Sequence, residues 1–282
     1  MAHVTAPAKL NLYLGVSGEV DRRGYHRLLT LMCPLALADE VEVEPRDEGG
    51  IDLTCAPDPV AEPRDNLAWK AAERLAAVLD RPACARIAIE KAIPAQAGLG
   101  GGSSDAAAVL RGLAAAWGLD ERDQRVVQVA RGLGADVAFF LYGGTCLLGG
   151  LGDELLEELT LPAMSVALVR PDAGVSTSAA YRAFDELRTL APDPAPLLAA
   201  ARAGDAAGVR AHLSNNLQPA ACAVEPQVAH VIDFLSRRGE GRPLLCGSGS
   251  CCALLTADDD AARAVASDAA ERGWWSCATR TA

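Results

Sequence analysis

The residues best suited to chemistry lie in the glycine-rich segment Pro94-Ala-Gln-Ala-Gly-Leu-Gly-Gly-Gly-Ser-Ser-Asp105. The alternating residues 85–90 before it predict a strand, and the Ala- and Leu-rich residues 106–117 after it predict a helix. Glycines let the backbone approach a ligand closely, and a helix N-terminus offers unpaired N–H groups and the positive end of its dipole. The segment therefore predicts a phosphate-binding loop, with a tight turn capped by Ser103 or Ser104 as the alternative.

Two common phosphate motifs do not match this segment. No Gly-Lys-Ser/Thr follows the glycines, and no acidic residue closes a second strand where a ribose would need it. The segment is therefore neither a Walker loop nor a Rossmann fingerprint, and the other motifs of the chain have to decide its family.

Lys9, Asn11 and Asp136 are further candidates for chemistry. Lys9 and Asn11 point to one side of a strand predicted over residues 4–16, in a chain with only three lysines among its 26 basic residues. Asp136 is a charge at a predicted helix-to-strand turn, directly before the apolar residues 137–141. A lone lysine on a strand is more often an edge charge, and an aspartate in such a turn either caps or catalyses.

Other elements are predicted from periodicity and turn residues. Strands are expected at 28–37, 40–44, 51–55 and 164–169, and helices at 66–79, 122–133 and 174–187. Glycine clusters at 143–144 and 149–152 interrupt the pattern. A domain boundary is therefore predicted near residue 150, which gives domains at 1–150 and 151–282.

The composition excludes several classes of partner and site. A net charge of −11 over 282 residues argues against nucleic acid or an anionic membrane as the main partner. Met1-Ala-His-Val-Thr5 is neither basic nor followed by a long apolar run, so no secretion signal is expected, and no apolar stretch is long enough to span a bilayer. Nine cysteines without a CxxC pair and four scattered histidines predict a cytoplasmic protein with reduced thiols and no Cys/His metal site.

Three segments together resemble the GHMP small-molecule kinases, which include galactose, homoserine, mevalonate and phosphomevalonate kinases. The segment 94–105 resembles their second motif, which wraps the phosphates of ATP. Pro7-Ala-Lys-Leu-Asn-Leu12 and Gly247-Ser248-Gly249 resemble the first and third motifs, in family order, so the resemblance covers about residues 4–255. It implies an α+β fold of two domains with the active-site cleft between them, and ATP and Mg²⁺ as cofactors.

The resemblance also implies which residues bind ATP. The family has an asparagine near the nucleotide base at the position of Asn66, and often a lysine close to the nucleotide at the position of Lys91. Asn66 is equally suited to cap the next helix. Ser104 or Asp105 could touch Mg²⁺ directly or through water, and neither is assigned as a metal ligand. The expected ATP-binding residues are Asn66, Lys91, Pro94, Ala97, Gly98, Leu99, Gly100, Gly101, Gly102, Ser103, Ser104 and Asp105.

Asp136 is the residue that the resemblance marks as the general base. The family motif Gly-Ala/Ser-Asp-Val-Pro-Phe matches through Asp136 and Val137 and then departs at Ala138, where proline is usual. The departure removes no functional group. Lys9 is expected to hold Asp136 ionised and to orient the reacting hydroxyl, so Lys9 and Asp136 are the expected catalytic residues.

Gly24-Tyr25-His26 resembles one branch of the family, which phosphorylates the 2-hydroxyl of a cytidylyl methylerythritol in the non-mevalonate isoprenoid route. In that branch the Tyr-His pair frames the cytosine by stacking and by hydrogen bonds. Arg23 and Asn216 depart from the branch pattern, which has acidic residues there. The expected substrate-binding residues are Asn11, Tyr25, His26, Thr177, Tyr181, Gly247, Ser248 and Gly249.

Two other interpretations stay open. A GHMP kinase for another small alcohol, such as a sugar, homoserine or mevalonate, would have little use for a Tyr25-His26 pair that binds a base. A non-catalytic nucleotide-binding regulator on the same fold would be expected to lack Lys9 or Asp136, and both are present. The expected partners are ATP and the cytidylyl substrate, bound by a monomer or a weak homodimer.

Overall fold

The computed structural model describes residues 1–57, 62–238 and 241–282, and these form a mixture of strands and helices. The strands are β1 (Ala2–Val20), β2 (His26–Pro45), β3 (Ile51–Ala56), β4 (Ala85–Glu90), β5 (Thr145–Gly149), β6 (Glu154–Leu159), β7 (Ser165–Arg170), β8 (Ser214–Asn215), β9 (Leu244–Leu245), β10 (Cys252–Leu255) and β11 (Trp275–Arg280). The helices are α1 (Leu67–Val78), α2 (Gly101–Ala116), α3 (Gln124–Leu133), α4 (Ala135–Tyr142), α5 (Thr177–Leu187), α6 (Ala195–Arg202), α7 (Ala206–Ala211), α8 (Gln218–Val224), α9 (Pro226–Ser236) and α10 (Asp259–Ala270). The predicted α+β class is confirmed.

The chain forms two compact units, each built from separate segments. The first unit contains residues 1–8, 37–95 and 100–143, and the second contains residues 9–36, 96–99 and 144–282. Strands β1 and β2 and the glycine-rich segment therefore contribute residues to both units. The division into continuous domains at residue 150 stays a prediction.

In the first unit, β4 pairs antiparallel with residues 40–45 of β2 and parallel with β3. Ala85, Ile87 and Ile89 of β4 are buried while the residues between them are more exposed, because alternate side chains of a strand point to opposite faces. Helix α2 packs against α1, α3 and α4. Its Gly112 lies so close to β2 that an added Cβ would be 3.0 Å from the Cβ of Val43.

In the second unit, a four-stranded antiparallel sheet has the order β11-β7-β10-β9. Residues 30–32 of β2 pair with β5, and β5 pairs with β6. The short strand β8 runs parallel to β1, with Tyr13 opposite Ser214 and Leu14 opposite Asn215. The helices α8, α9 and α10 contribute to the core that covers the four-stranded sheet.

Most of the predicted elements are confirmed, and one is wrong. The two strands expected at 28–37 and 40–44 form the single long strand β2, and the helix expected from residue 106 begins at Gly101. The sequence predicts a strand over residues 137–141, directly after Asp136. The structure instead has these residues in helix α4, where all five are buried. A helix buried on every side has no polar face, so periodicity cannot distinguish it from a buried strand.

Among the described residues, no helix has the length and apolar character needed to cross a lipid bilayer.

Candidate active site

The glycine-rich segment adopts a backbone that its glycines make possible. Gly98 and Gly100 have φ angles of 74° and 76°, in the left-handed region that favours glycine. A Cβ added to Gly98 would lie 1.9 Å from the carbonyl oxygen of Cys246, so a side chain cannot fit there. The N–H of Cys251 donates to the carbonyl oxygen of Ala97 over 3.1 Å. Both glycines are therefore required by the path of the loop.

Helix α2 begins directly after this turn. Gly100 is its N-cap, and no side chain of the described residues caps it. The Ser104 N–H makes the first helical hydrogen bond, to the carbonyl oxygen of Gly100 over 2.9 Å. The N–H groups of residues 101–103 precede that bond and belong to the unpaired set of a helix N-terminus. The first turn also contains no acidic residue, so the helix dipole favours an anion at this end.

Two oxygens at the start of α2 are buried without a hydrogen-bond partner in the described part of the chain. They are Oγ of Ser104 and Oδ1 of Asp105. Buried polar atoms of this kind are uncommon in folded proteins and call for a ligand, an ion or a water molecule. Both are oxygen donors of the type that Mg²⁺ prefers.

Lys91 lies between two buried carboxylates of the first unit. Its Nζ is 2.5 Å from Oδ2 of Asp39 and 2.6 Å from Oδ2 of Asp105. Burial raises the pKa of Asp105 to about 7, against the opposing effect of the Lys91 ammonium. Burial lowers the pKa of Lys91, but the two carboxylates outweigh it and the net shift is upward. Lys91 is therefore held as an ammonium ion.

Asp39 is a residue that the sequence analysis missed. It is completely buried, and its Oδ1 accepts hydrogen bonds from the N–H groups of Ala92 and Ile93 over 2.6 and 2.8 Å. A signal was present in the sequence, because Asp39 is in phase with the buried Val41 and Val43 of β2. A carboxylate on the apolar face of a strand needs buried partners.

Asn66 and Asp136 each lie at a helix start in the first unit. Oδ1 of Asn66 accepts a hydrogen bond from the N–H of Ala68 over 2.8 Å, so the capping role at α1 is confirmed. The nucleotide contact of Asn66 stays a prediction. Asp136 lies in the first turn of α4, and its side chain is half-buried. The predicted helix-to-strand turn at Asp136 is thus a helix-to-helix turn through Gly134.

Lys9 and Asn11 lie in the second unit on a chain of buried hydrogen bonds. Nζ of Lys9 donates to Oδ1 of Asn11 over 2.7 Å, and Nδ2 of Asn11 donates to Oγ1 of Thr30 over 2.9 Å. The backbone N–H of Lys9 donates to the carbonyl oxygen of Leu99 over 2.9 Å. Lys9 is only 4% exposed, so it is not the edge charge that a lone strand lysine usually is.

The third glycine motif lies between β9 and β10 and packs beside Lys9. A Cβ added to Gly247 would be 3.0 Å from Nζ of Lys9 and 3.0 Å from the carbonyl oxygen of Gly98. Oγ of Ser248 is 2.9 Å from Oγ1 of Thr177. The structure therefore brings the predicted residues of the first and third motifs together in the second unit, along with residues 98 and 99 of the second motif.

Two asparagines hold this part of the second unit. Nδ2 of Asn215 donates to the carbonyl oxygens of Leu245 and Gly247 over 2.8 and 2.7 Å. The side chain of Asn216 accepts from the N–H of Val16 and donates to its carbonyl oxygen over 2.8 and 2.9 Å. Asn216, which replaces an acidic residue of the branch pattern, thus pairs with the backbone of β1 and needs no charge there.

Tyr25 and His26 differ in their exposure. Tyr25 is 60% exposed, with the guanidinium of Arg23 5.6 Å from its ring centre. His26 is buried, with Nδ1 2.8 Å from the carbonyl oxygen of Ser17 and Nε2 3.1 Å from Oδ1 of Asp185. The ring of Tyr181 lies 5.7 Å from that of His26. Both ring nitrogens of His26 therefore face acceptors of this chain, while the ring of Tyr25 is accessible.

Family models match both halves of the chain. The model for the GHMP kinases N terminal domain matches residues 66–144, and the model for the GHMP kinases C terminal domain matches residues 197–273. Together they cover more than half of the 282 residues.

Individual relatives match along the whole chain. A 4-diphosphocytidyl-2-C-methyl-D-erythritol kinase of Citrifermentans bemidjiense is 39% identical, covering 98% of this chain and 97% of its own. One of Moorella thermoacetica is 39% identical over 99% of both chains. A crystal structure of 4-(cytidine 5'-diphospho)-2C-methyl-D-erythritol kinase superposes with a TM-score of 0.83 at 35% identity over 100% of both chains. A crystal structure of a homoserine kinase of Cytophaga hutchinsonii superposes with a TM-score of 0.74 at 18% identity, covering 99% of this chain and 94% of its own. It shares the fold.

Proposed function

Because this chain belongs to the GHMP kinase family of small-molecule kinases, we propose that it transfers the terminal phosphoryl group of ATP to the 2-hydroxyl of 4-diphosphocytidyl-2-C-methyl-D-erythritol. The observation that carries the proposal is the match, at 35–39% identity and over nearly the full length, to proteins that bear this substrate's name. The homoserine kinase resembles the chain in fold only.

The kinase family implies the use of ATP, and the start of α2 is the part of the chain suited to its phosphates. Phosphoryl transfer depends on positioning and on neutralising the charge of the phosphates. The N–H groups that begin α2 and the positive end of its dipole would supply part of that neutralisation. Gly100 and Gly101 would let the backbone approach the phosphate oxygens, since neither carries a side chain.

The residues at the start of α2 also fit a Mg²⁺ ion that accompanies ATP. Oγ of Ser104 and Oδ1 of Asp105 have no hydrogen-bond partner among the described residues, and hard oxygen ligands suit this cation. When bound, Mg²⁺ supplies further positive charge against the phosphates. The role of the two side chains would be to orient the cation relative to α2.

Asp136 would accept the proton of the reacting hydroxyl, and Lys9 would orient that hydroxyl. Asp136 lies in the first turn of α4, and a carboxylate is one of the groups that serve as general bases. Lys9 is positioned by Asn11 through a 2.7 Å hydrogen bond, so its ammonium has a defined place in the second unit. As the proton leaves, the hydroxyl oxygen attacks the terminal phosphorus and ADP departs.

Tyr25 would bind the cytosine of the substrate by stacking, because its ring is the accessible aromatic surface of the Tyr25-His26 pair. Replacing Tyr25 by Ala should raise the KM of the cytidylyl substrate by about 5- to 150-fold, since a stacked base is worth about 1–3 kcal/mol. The KM of ATP should stay unchanged. Tyr25→Phe is the matched control, because it keeps the ring and should keep the KM. Equal effects of Tyr25→Ala on both substrates would instead indicate a structural role.

A screen of acceptors tests the function itself. ADP release is measured with the cytidylyl substrate, homoserine, mevalonate and galactose, each with MgATP. We expect turnover with the cytidylyl substrate and its competitive inhibition by cytidine derivatives. Turnover with one of the other alcohols would assign a different kinase of the family. ATP binding without turnover of any acceptor would favour the regulator.

A further inference from the structure

Asp39 contacts residues 91–93 directly before the glycine-rich loop of residues 94–100, and it is linked through Lys91 to helix α2 directly after that loop. On one side, its Oδ1 accepts from the N–H groups of Ala92 and Ile93, where the chain leaves β4. On the other side, its Oδ2 accepts from Nζ of Lys91, which also donates to Oδ2 of Asp105 in α2. The two ends of the loop are thus joined through one carboxylate and one ammonium, and all of these residues belong to the first unit.

The two ends are also closely packed, so that a side chain on the first residue of α2 would be crowded. A Cβ added to Gly101 would lie 3.1 Å from Cγ2 of Ile93 and 3.3 Å from Nζ of Lys91. Gly101, the first residue of α2, therefore lies directly beside Ile93 and Lys91. The N–H groups proposed to meet the ATP phosphates belong to that same turn.

The charge of Asp39 is as important as its shape. Its side chain is completely buried, and a buried carboxylate is tolerated where its oxygens are paired. Asp39 provides three acceptor contacts, two to backbone N–H groups and one to an ammonium. An amide side chain could accept from the backbone on one side, but its NH₂ would then face the Lys91 ammonium, donor against donor.

We propose that Asp39 is a positioning residue for ATP, which holds the exit of β4 and the first turn of α2 at the spacing that the nucleotide phosphates require. The inference rests on the proposed kinase function and deepens it. Asp39 acts through Lys91 and the backbone of residues 92 and 93, since its carboxylate is buried and its oxygens are occupied. Lys91 in turn links the carboxylates of Asp39 and Asp105 by donating a hydrogen bond to each.

The experiment measures MgATP affinity of Asp39→Asn by calorimetry, without an acceptor. The Kd should rise by about 10- to 100-fold, because a hydrogen-bonded charge is replaced by a mismatched amide. The KM of the acceptor should stay at the wild-type value. Hydrogen exchange in the nucleotide-free protein should become faster in residues 92–104, which a purely global loss of stability would not single out.

Val43→Ala is the matched control, because Val43 is buried on the same face of β2 and packs against Gly112 of α2. It should lower the Tm and leave the Kd of MgATP unchanged. If Asp39→Asn does not yield folded protein by circular dichroism, Asp39→Ser takes its place, since it leaves room for water and keeps a hydroxyl acceptor. The same rise in Kd is expected.

Three outcomes would overturn the inference. The first is a folded Asp39 variant with the wild-type Kd for MgATP. The second is a Val43→Ala protein whose Tm falls, and whose Kd for MgATP rises, by as much as in the Asp39 variant. The rise in Kd would then be an effect of lost stability. The third is a wild-type protein that binds no MgATP, which would contradict the proposed function as well as this inference. The first two outcomes would contradict only the role of Asp39.

Discussion

Helices α2 and α4 begin in similar ways but carry different charges. Both belong to the first unit, both have a glycine as N-cap, and neither cap is satisfied by a side chain of the described residues. The first turn of α2 contains no acidic residue, whereas the first turn of α4 contains Asp136. The positive end of a helix dipole favours negative charge in either case. The first turn of α2 is thus suited to an anionic ligand, whereas in the first turn of α4 the chain itself places a carboxyl group.

The comparison shows why glycine content alone is a weak guide to chemistry. Glycine permits the turn before each helix, but the residue types in the first turn decide what the helix end can do. An uncharged first turn suits phosphate, and a carboxylate held there suits proton acceptance. Four substitutions test this division, beginning with the largest expected effect.

Asp136→Asn should lower turnover by about 10²–10⁴-fold, because the amide keeps the shape of the carboxylate but cannot accept a proton. The Kd of MgATP should be unchanged, since the phosphates are assigned to α2. Asp123→Asn is the control, because Asp123 caps α3 by accepting from the N–H of Arg125 and has no proposed catalytic role. Rapid-quench measurement of product formation checks both variants. A variant of Asp136 with a lower Tm and wild-type turnover would make it a cap only.

Gly100→Val should weaken MgATP binding by more than about 100-fold. The φ angle of 76° at Gly100 is unfavourable for a β-branched residue, so the turn must rearrange. Under the proposed function, more than one charge-assisted hydrogen bond to phosphate would then be lost. Calorimetric titration with MgATP measures the effect. Gly118→Val is the control, because Gly118 has a φ angle of 74° in the same left-handed region, a Cβ there meets no atom within 4 Å, and Gly118 has no proposed role in ATP binding. Unaltered binding in folded Gly100→Val would show that the phosphates lie elsewhere.

Gly102→Asp would make the first turn of α2 resemble that of α4. Gly102 has space for a side chain, and a carboxylate there would interact favourably with the positive end of the helix dipole. The fold should therefore be retained. Like-charge repulsion at short range is worth about 1 kcal/mol or more, so the Kd of MgATP should rise by at least about fivefold. Gly102→Asn separates charge from size. If both variants bind MgATP equally well, the start of α2 is not an anion site.

Asn66→Ala should have the smallest effect, a loss of about 1 kcal/mol in the free energy of unfolding. Helix α1 differs from α2 and α4 because a side chain caps it, and removal of such a cap has this typical cost. Chemical denaturation measures the free energy of unfolding, and calorimetry measures the Kd of MgATP. An unchanged Kd would limit Asn66 to capping. A raised Kd would support the nucleotide contact as well.

Local patterns were enough to predict most of the fold. The alternation in β4 and the apolar periodicity of α1 and α3 gave correct elements, because each depends on residues close together in the chain. The prediction failed at α4, where five consecutive buried residues carry no periodic signal. It also began α2 five residues late, because glycine and serine are poor helix formers and the observed start depends on the left-handed Gly100.

The sequence by itself determined the motifs: a glycine loop before a helix, a Lys-x-Asn strand and an aspartate after a glycine turn, in the order of one kinase family. It could not determine which buried charges meet. Asp39, Lys91 and Asp105 are separated by 52 and 14 residues, and each alone resembles an ordinary charged residue of its element. Only the tertiary structure brings them within 2.5–2.6 Å, because the burial that makes an unpaired charge costly arises when strands and helices pack.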